Sequence, residues 1–389
     1  MKQPQLTRRR FFLSSSAALV LPACAREGDT VHADAACPQP EAPPPVDPAS
    51  LGVDPWMGHA PGDLRLNKNE NPFGPSPRAL EAIRASADQS HRYVRSSIIR
   101  ERLAERHQVS PDMVRLGTGS GEILRMLPFM FAREGGNVIA ARQAYRATPS
   151  VAEAIGLEVR WIDLRPDFGY ALDEMLAAVD ADTRIFYLVN PNNPTGTSLP
   201  AAEITRIVDA LPPEVLVVID EAYVDFLPEG YGDALSLVQA GRPNLLITRT
   251  FSKAYGLAGL RIGYGLAAAP LVERISAMMM TGPNVAAYAG ALAALDDTEH
   301  VRRTVAHARA CRSYFGGALE QLGLEHVLGD APLLMVKLGD RVGEAVAALE
   351  QQGIFIRDGR SWELPQWVRI SYGLEAQNAQ VVEALRSYA

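Results

Sequence analysis

Short apolar runs alternate with stretches of helical spacing along the middle of the chain. Strand-like runs fall at residues 137–140, 158–163, 184–189, 215–220, 245–250 and 261–266. Their alternation with helix-like segments predicts an α/β fold with a mostly parallel sheet and helices on both faces. The runs Ile185-Phe186-Tyr187-Leu188-Val189 and Val215-Leu216-Val217-Val218-Ile219 are apolar without alternation, as central strands buried on both sides are. From about residue 272 the texture changes to helical stretches at 285–295, 301–322 and 342–352, with strand-like runs at 333–338 and 368–372. The chain therefore divides into an arm that joins the smaller domain (63–94), a large domain (95–275) and a smaller α+β domain (276–389). Ligands of such sheets bind beyond the carboxyl ends of the strands, so the residues just after each run bear the closest reading.

Residues 1–62 depart from this pattern. Arg8-Arg9-Arg10 precedes a modestly apolar segment, 11–21, interrupted by Ser14-Ser15-Ser16, which is the layout of a signal peptide over residues 1–25. The alternative is a basic tail beside a short core helix, but a tether rich in Pro and Ala follows at once over residues 26–62, with no periodicity. His59 is read as a solvated residue of that tether. Thr7-Arg8-Arg9-Arg10-Phe11-Phe12-Leu13 resembles a twin-arginine (Tat) signal. That resemblance implies export to the periplasm with the Tat translocase as partner; the chain stays cytoplasmic if the signal is not used. Ala23-Cys24-Ala25 offers a cleavage site, and Leu21-Pro22-Ala23-Cys24 a lipid-anchoring box, so cleavage and anchoring through Cys24 both stay open. Cleavage after Ala25 would remove four positive charges and no negative ones, taking the net charge from −7 to −11.

Composition narrows the classes further. The chain has 389 residues, 47% hydrophobic and 21% charged, which suits two packed domains. No apolar run is long enough for a polytopic membrane protein. The acidic balance and the lack of a basic face in the body argue against a nucleic-acid partner. Cys24, Cys37 and Cys311 have no CxxC spacing and make neither a disulfide framework nor a zinc site. His300 and His307, on a predicted helix with no carboxylate at ligand spacing, are read as surface residues, and Met278-Met279-Met280 as core or hinge packing.

Four strand ends carry candidate chemistry. After residues 245–250 come Ser252, Lys253 and, eight residues beyond the lysine, Arg261; this set could hold an aldehyde cofactor as an imine and clamp a phosphate. Asp220 ends its run where its charge could keep a pyridine nitrogen protonated. Asn190-Pro191-Asn192-Asn193-Pro194-Thr195-Gly196 follows residues 184–189, and its prolines fix a backbone that could aim an Asn amide at a phenolic oxygen. Gly117-Thr118-Gly119-Ser120-Gly121-Glu122 precedes a helical run at 123–131 and offers free amides to a phosphate; it lacks the full spacing of a dinucleotide fingerprint. Taken singly, each has a bland reading: a solvated lysine, a helix cap, an Asn/Pro/Gly turn.

Together, Asn193-Pro194-Thr195-Gly196, Asp220-Glu221-Ala222-Tyr223 and the block from Ser252 to Gly263 resemble the signatures of fold-type I, pyridoxal-phosphate-dependent class I/II aminotransferases. The similarity is greatest to the histidinol-phosphate aminotransferases, whose opening and closing segments resemble residues 66–77 and 364–371. The resemblance implies that pyridoxal 5'-phosphate is linked to Lys253, which also moves the proton. It implies further that Asp220 holds the ring nitrogen, Tyr223 and Asn193 the ring oxygen, and that Tyr145 stacks on the ring. Ser120, Gly121, Thr250, Ser252 and Arg261 would hold the cofactor phosphate. Arg369 would grip the substrate carboxylate, whose bland alternative is a surface salt bridge, and Asn71 would also contact substrate. Tyr93 would reach the phosphate site of a neighbouring subunit, implying a homodimer with shared sites.

The implied reaction moves an amino group from an amino acid or related amine to a 2-oxo acid in a ping-pong sequence. Around the substrate mouth the chain departs from the subfamily: Val94-Arg95 follow Tyr93, Ala144 precedes Tyr145, and Asp358 follows Arg357. Export would also separate the enzyme from a charged cytoplasmic intermediate such as histidinol phosphate. The substrate therefore stays open. Rival readings are another pyridoxal-phosphate reaction on this fold, such as decarboxylation, elimination or racemisation, and a non-catalytic exported binding protein.

Overall fold

A computed structural model describes residues 62–389 except 229–230 and 280–281; the signal-like segment, Cys24, Cys37, His59 and Met280 lie outside the described residues. Leu64–Arg65 forms β1. Val114–Gly117 (β2), Asn137–Ala141 (β3), Glu158–Ile162 (β4), Thr183–Val189 (β5), Leu216–Asp220 (β6), Leu245–Thr250 (β7) and Gly263–Ala267 (β8) form one sheet in the order β2-β8-β7-β6-β5-β3-β4. β5, β6 and β7 lie side by side, parallel and in register, with Val189 beside Asp220 and Asp220 beside Thr248. The unbroken apolar runs of β5 and β6 are explained by this position, because both faces are buried.

β8 runs antiparallel to β7 and β2. The even alternation of the sequence suggested another parallel strand, but residues 251–262 hold only a short 3₁₀ turn, Ala258–Leu260. A parallel return would need a crossover of a dozen or more residues, usually helical. The helical run expected at 123–131 begins at Ser120 and changes to 3₁₀ geometry at Leu127. Pro128 has no N–H for the carbonyl of Leu124, which accepts from the Thr148 hydroxyl at 2.9 Å instead.

His326–Leu328 (β9), Leu333–Lys337 (β10), Ile354–Phe355 (β11), Arg357–Asp358 (β12) and Trp367–Ser371 (β13) follow. Four of them make a small antiparallel sheet, β12-β13-β10-β9, while β11 pairs with β1. The helix Thr298–Leu322 starts three residues before the periodic pattern because the Asp297 carboxylate accepts from the backbone N–H of His300 at 3.3 Å. It ends at Gly323, whose left-handed φ of 68° suits glycine. His300 and His307 are not the surface residues their spacing suggested. The segment Asn71–Gly74 packs on this helix, so His300 is buried and bonds the Gly74 carbonyl at 3.1 Å, while His307 bonds that of Gly373 at 2.9 Å. Met279 packs against the core.

Candidate active site

At the carboxyl ends of β5, β6 and β7 a cavity of about 520 Å³ opens, and β13 with the segment that follows β1 closes its other side. Pleat alternation sends Asp220, Thr248 and Thr250 to one face of the sheet. The Asp220 carboxylate accepts from the Thr248 hydroxyl at 3.1 Å. Burial pushes its pKa up to about 7, and no cationic side chain is hydrogen-bonded to it among the described residues.

The loop after β5 assigns separate tasks to its three asparagines. Asn190 accepts from the Leu199 N–H at 2.7 Å, and Asn192 donates to the Gln143 carbonyl and the Thr195 hydroxyl, each at 2.9 Å. These two fix the loop. Asn193 lines the cavity and accepts from Arg369 Nη1 at 2.7 Å, which leaves its amide nitrogen as a donor.

Lys253 follows β7 by three residues, and its Nζ donates to the carbonyls of Lys68 and Asn69, each at 3.1 Å. It also lies 5.7 Å from the centre of the Tyr223 ring. Burial, with the nearby charge of Arg369, lowers its pKa to about 8. The Tyr223 hydroxyl accepts from Asn69 Nδ2 at 2.7 Å, and burial raises its pKa to about 12.

One end of the cavity is built for an anion. Ser120 and Gly121 line it at the start of the helix Ser120–Met126, with Thr250, Ser252 and Arg261 beside them. The Thr250 and Ser252 hydroxyls are 2.9 Å apart. Gly119, at φ 76°, leaves the space Arg261 occupies: a Cβ there would come within 2.4 Å of the guanidinium. Arg261 itself sits at φ 58°, a left-handed strain of about 1 kcal/mol or more for a residue with a side chain. Tyr145 also lines the cavity, and burial followed by the charge of Asp220 raises its phenol pKa.

At the other end lie Arg369 on β13 and Arg357, its cross-strand partner on β12. Arg369 is buried, packs 5.1 Å from the Trp362 ring, and has an Nε with no partner. Burial lowers its pKa to about 10, so it stays charged at neutral pH.

Two of the expected residues do not line this chain's cavity, and for Tyr93, expected at a neighbouring subunit's site, that is no departure. Asn71 does not line the cavity: its amide donates to the Ala254 carbonyl at 3.0 Å and the Thr304 hydroxyl at 3.1 Å, tying its segment to the long helix. Asn69, two residues earlier, lines the cavity instead. Tyr93 stands fully exposed and outside the cavity of this chain. Asn67, Lys68, Asn69, Glu70, Arg357 and Trp362 also line it, with Val189, Ala222, Ala258 and Gly259, and the sequence pattern assigns none of these a role. The left-handed φ of 54° at Asn69 is a signal that Asn tolerates but that its neighbours in sequence do not reveal.

These residues fit pyridoxal phosphate. A buried carboxylate without a cation suits a protonated ring nitrogen, an amine of lowered pKa suits an aldehyde, and hydroxyls around a guanidinium suit a phosphate.

Comparison with known proteins agrees. The family described as "Aminotransferase class I and II" matches residues 61–385. Histidinol-phosphate aminotransferase of Symbiobacterium thermophilum is 39% identical over 332 residues, 83% of this chain and 90% of that protein. Histidinol-phosphate aminotransferase 2 of Ralstonia nicotianae is 39% identical over 83% of this chain and 88% of its own length. Among solved structures, histidinol-phosphate aminotransferase from Sinorhizobium meliloti in complex with pyridoxal-5'-phosphate superposes with a TM-score of 0.78 at 29% identity, covering 90% of this chain and 97% of that one. L-threonine-O-3-phosphate decarboxylase from Porphyromonas gingivalis reaches 0.73 at 23% identity over 84% and 99%, a likeness of fold alone.

Proposed function

The chain belongs to the class I and II aminotransferases, pyridoxal-phosphate-dependent enzymes that move amino groups between amino and 2-oxo compounds, and from that premise we propose that its preferred substrate is dianionic. The carrying observation is the charge of the lining. With Arg261 assigned to the cofactor phosphate, Asp220 to the ring nitrogen and Lys253 to the chemistry, the cations Lys68, Arg357 and Arg369 remain against the single carboxylate of Glu70. A phosphomonoester or a pair of carboxylates would neutralise that surplus, in keeping with relatives that carry the histidinol-phosphate name.

Bound pyridoxal phosphate supplies an aldehyde that takes up amines and a ring that accepts electron density. Lys253, poised near neutrality, takes a proton from the reacting carbon and returns it one position away. Asp220, whose pKa burial raises to about 7 against its hydrogen bonds, would be kept ionised by a protonated ring nitrogen. Asn193 holds Arg369 through its Oδ1 and would donate its amide to the ring oxygen, so one side chain would set both the substrate anion and the ring. Tyr223, kept protonated by burial, would donate to the same ring oxygen.

An assay of amino donors against several 2-oxo acids tests this reading. Dianionic donors, histidinol phosphate with its phosphomonoester and L-aspartate with its two carboxylates among them, are expected to react faster than L-leucine. Faster reaction of the neutral donor, or carbon dioxide or racemised donor without amino transfer, would overturn it. Exposed Tyr93 supports a homodimer with shared sites; Tyr93→Ala should then weaken cofactor binding without altering this chain's own cavity. The basic run at Arg8 to Arg10 supports Tat-dependent export, and unchanged localisation of the Arg8→Lys/Arg9→Lys variant would refute it.

A further inference from the structure

Behind Lys253 the structure holds two further spaces. A small one of about 10 Å³ is bordered by Lys253, Asn69 and Glu70, which it shares with the main cavity, and by Tyr372, Thr304 and His307. A crevice of about 250 Å³, with Arg309 and Arg312 among its borders, lies on the far side of Tyr372, Phe226 and Ala308, which border both spaces. The three spaces thus follow one another from the main cavity, past the lysine, to Arg309 and Arg312.

The Tyr372 hydroxyl is buried and has no hydrogen-bond partner. A buried hydroxyl left unpaired costs stability, and an ordered water would offset that cost. Its ring is fixed by stacking on Phe315, centroids 5.6 Å apart, and by the Tyr372 N–H bonded to the Pro332 carbonyl at 3.1 Å. The smaller space is about the size of one water. The Thr304 hydroxyl accepts from Asn71 there and keeps its own hydrogen to donate. Burial holds the Tyr372 phenol well above its ordinary pKa, so it stays a neutral donor and acceptor.

We propose that a water between Tyr372 and Lys253 forms a rear relay that exchanges the lysine proton with solvent while cofactor and substrate fill the main cavity. The inference rests on the amino-transfer reading above. When Lys253 takes a hydron from the donor it becomes an ammonium. One of its three hydrons passes to the rear water as another returns from it, and Tyr372 hands the exchanged hydron to the crevice while taking one back, so atoms and charge balance at each exchange. Tyr372 is a positioning residue here, since it acts through the water.

The test uses holoenzyme and the fastest donor of the assay above, deuterated at its reacting carbon. Unreacted donor is recovered, and the fraction in which hydrogen has replaced deuterium is divided by the product formed, a ratio independent of overall rate. Tyr372→Phe, which removes only the hydroxyl, and Ala308→Leu, which narrows the shared wall, are each expected to lower this ratio about threefold or more. An unchanged ratio in both variants would overturn the relay. A crystal structure of the holoenzyme supplies an arm that needs no turnover: a water within about 3.2 Å of Tyr372 Oη supports the proposal, and its absence refutes it. If no donor reacts, the amino-transfer reading fails while the crystal structure still decides the water.

Discussion

The ends of β6 and β7 carry two buried ionic sites, one on each face of the sheet. On the cavity face Asp220 has, among the described residues, the Thr248 hydroxyl and the Ala222 backbone as donors, and its pKa rises to about 7. On the other face Glu221 and Arg249, each one residue further along, meet at 2.9 Å. Arg249 also binds Asp233 at 2.7 Å, and Glu221 accepts from the Ala234 N–H at 2.9 Å. Burial opposes the Arg249 charge, but the carboxylates of Glu221 and Asp233 more than offset it and raise its pKa. His107 nearby is lowered to about 3 by burial and then by Arg249, so it is neutral and bonds the Tyr264 hydroxyl at 2.9 Å. Burial is similar on both faces. What separates them is pairing: the far face is complete within the chain, and the cavity face lacks a partner that a ligand would supply.

Substitutions on the two faces should therefore move different quantities. The largest effect is expected for Lys253→Ala, which removes the proton carrier and the amine that bonds the aldehyde. Turnover should fall by about 10⁴ or more in a single-turnover assay, and the visible absorption of the lysine-linked cofactor should disappear, with stability nearly unchanged. Arg249→Met is the opposite case. It leaves Glu221 buried without its cation and should cost about 3–5 kcal/mol in a urea titration. The double variant Arg249→Met/Glu221→Leu should recover most of that loss, because half-exposed Asp233 can be solvated. A double variant as unstable as the single one would show that the far cluster does more than hold charge.

The contrast also explains what the sequence disclosed. Asp220, Lys253 and Asn193 are legible because each stands at, or within four residues of, the carboxyl end of a buried strand, where the cavity lies. Glu221 and Arg249 were not separable from them, since adjacent residues differ only in the face that the pleat selects. The carbonyls of Lys68 and Asn69 that receive Lys253 are backbone groups with no signature in residue type. The choice of Asn69 over Asn71 was hidden for a related reason: it depends on one left-handed turn in a segment with asparagine at alternate positions. The reversed direction of β8 depends on how residues 251–262 fold back, which periodicity does not report.

Asp220→Asn sharpens the comparison from the cavity side. In the cofactor-free protein the raised pKa means that the folded state binds more protons than the unfolded chain between pH about 4 and 7. Its stability contribution therefore falls as pH rises through that window. Replacing the carboxyl by an amide should flatten this slope and raise stability at pH 8 by about 2 kcal/mol, less than the full shift implies because the cavity admits solvent. The same variant should lose cofactor affinity, so the gain and the loss separate in urea titrations with and without pyridoxal phosphate. A lower stability of the cofactor-free variant would mean that Asp220 is already paired.

Asn69 belongs to both kinds of site, and its effect should be the smallest. Its backbone N–H donates to the Ser371 hydroxyl and its Oδ1 accepts from it, each at 2.8 Å, while its Nδ2 donates to Tyr223 at the cavity. It does so at φ 54°, where Asn is tolerated, Ala strained and Gly relaxed. Asn69→Ala loses the side-chain bonds and adds strain, and Asn69→Gly loses the same bonds without the strain. Alanine should therefore be the less stable of the two by about 1 kcal/mol, with equal changes in KM for both. Equal stability would assign the cost to the hydrogen bonds alone, and a KM that followed stability would place Asn69 with the structural pairs of the far face.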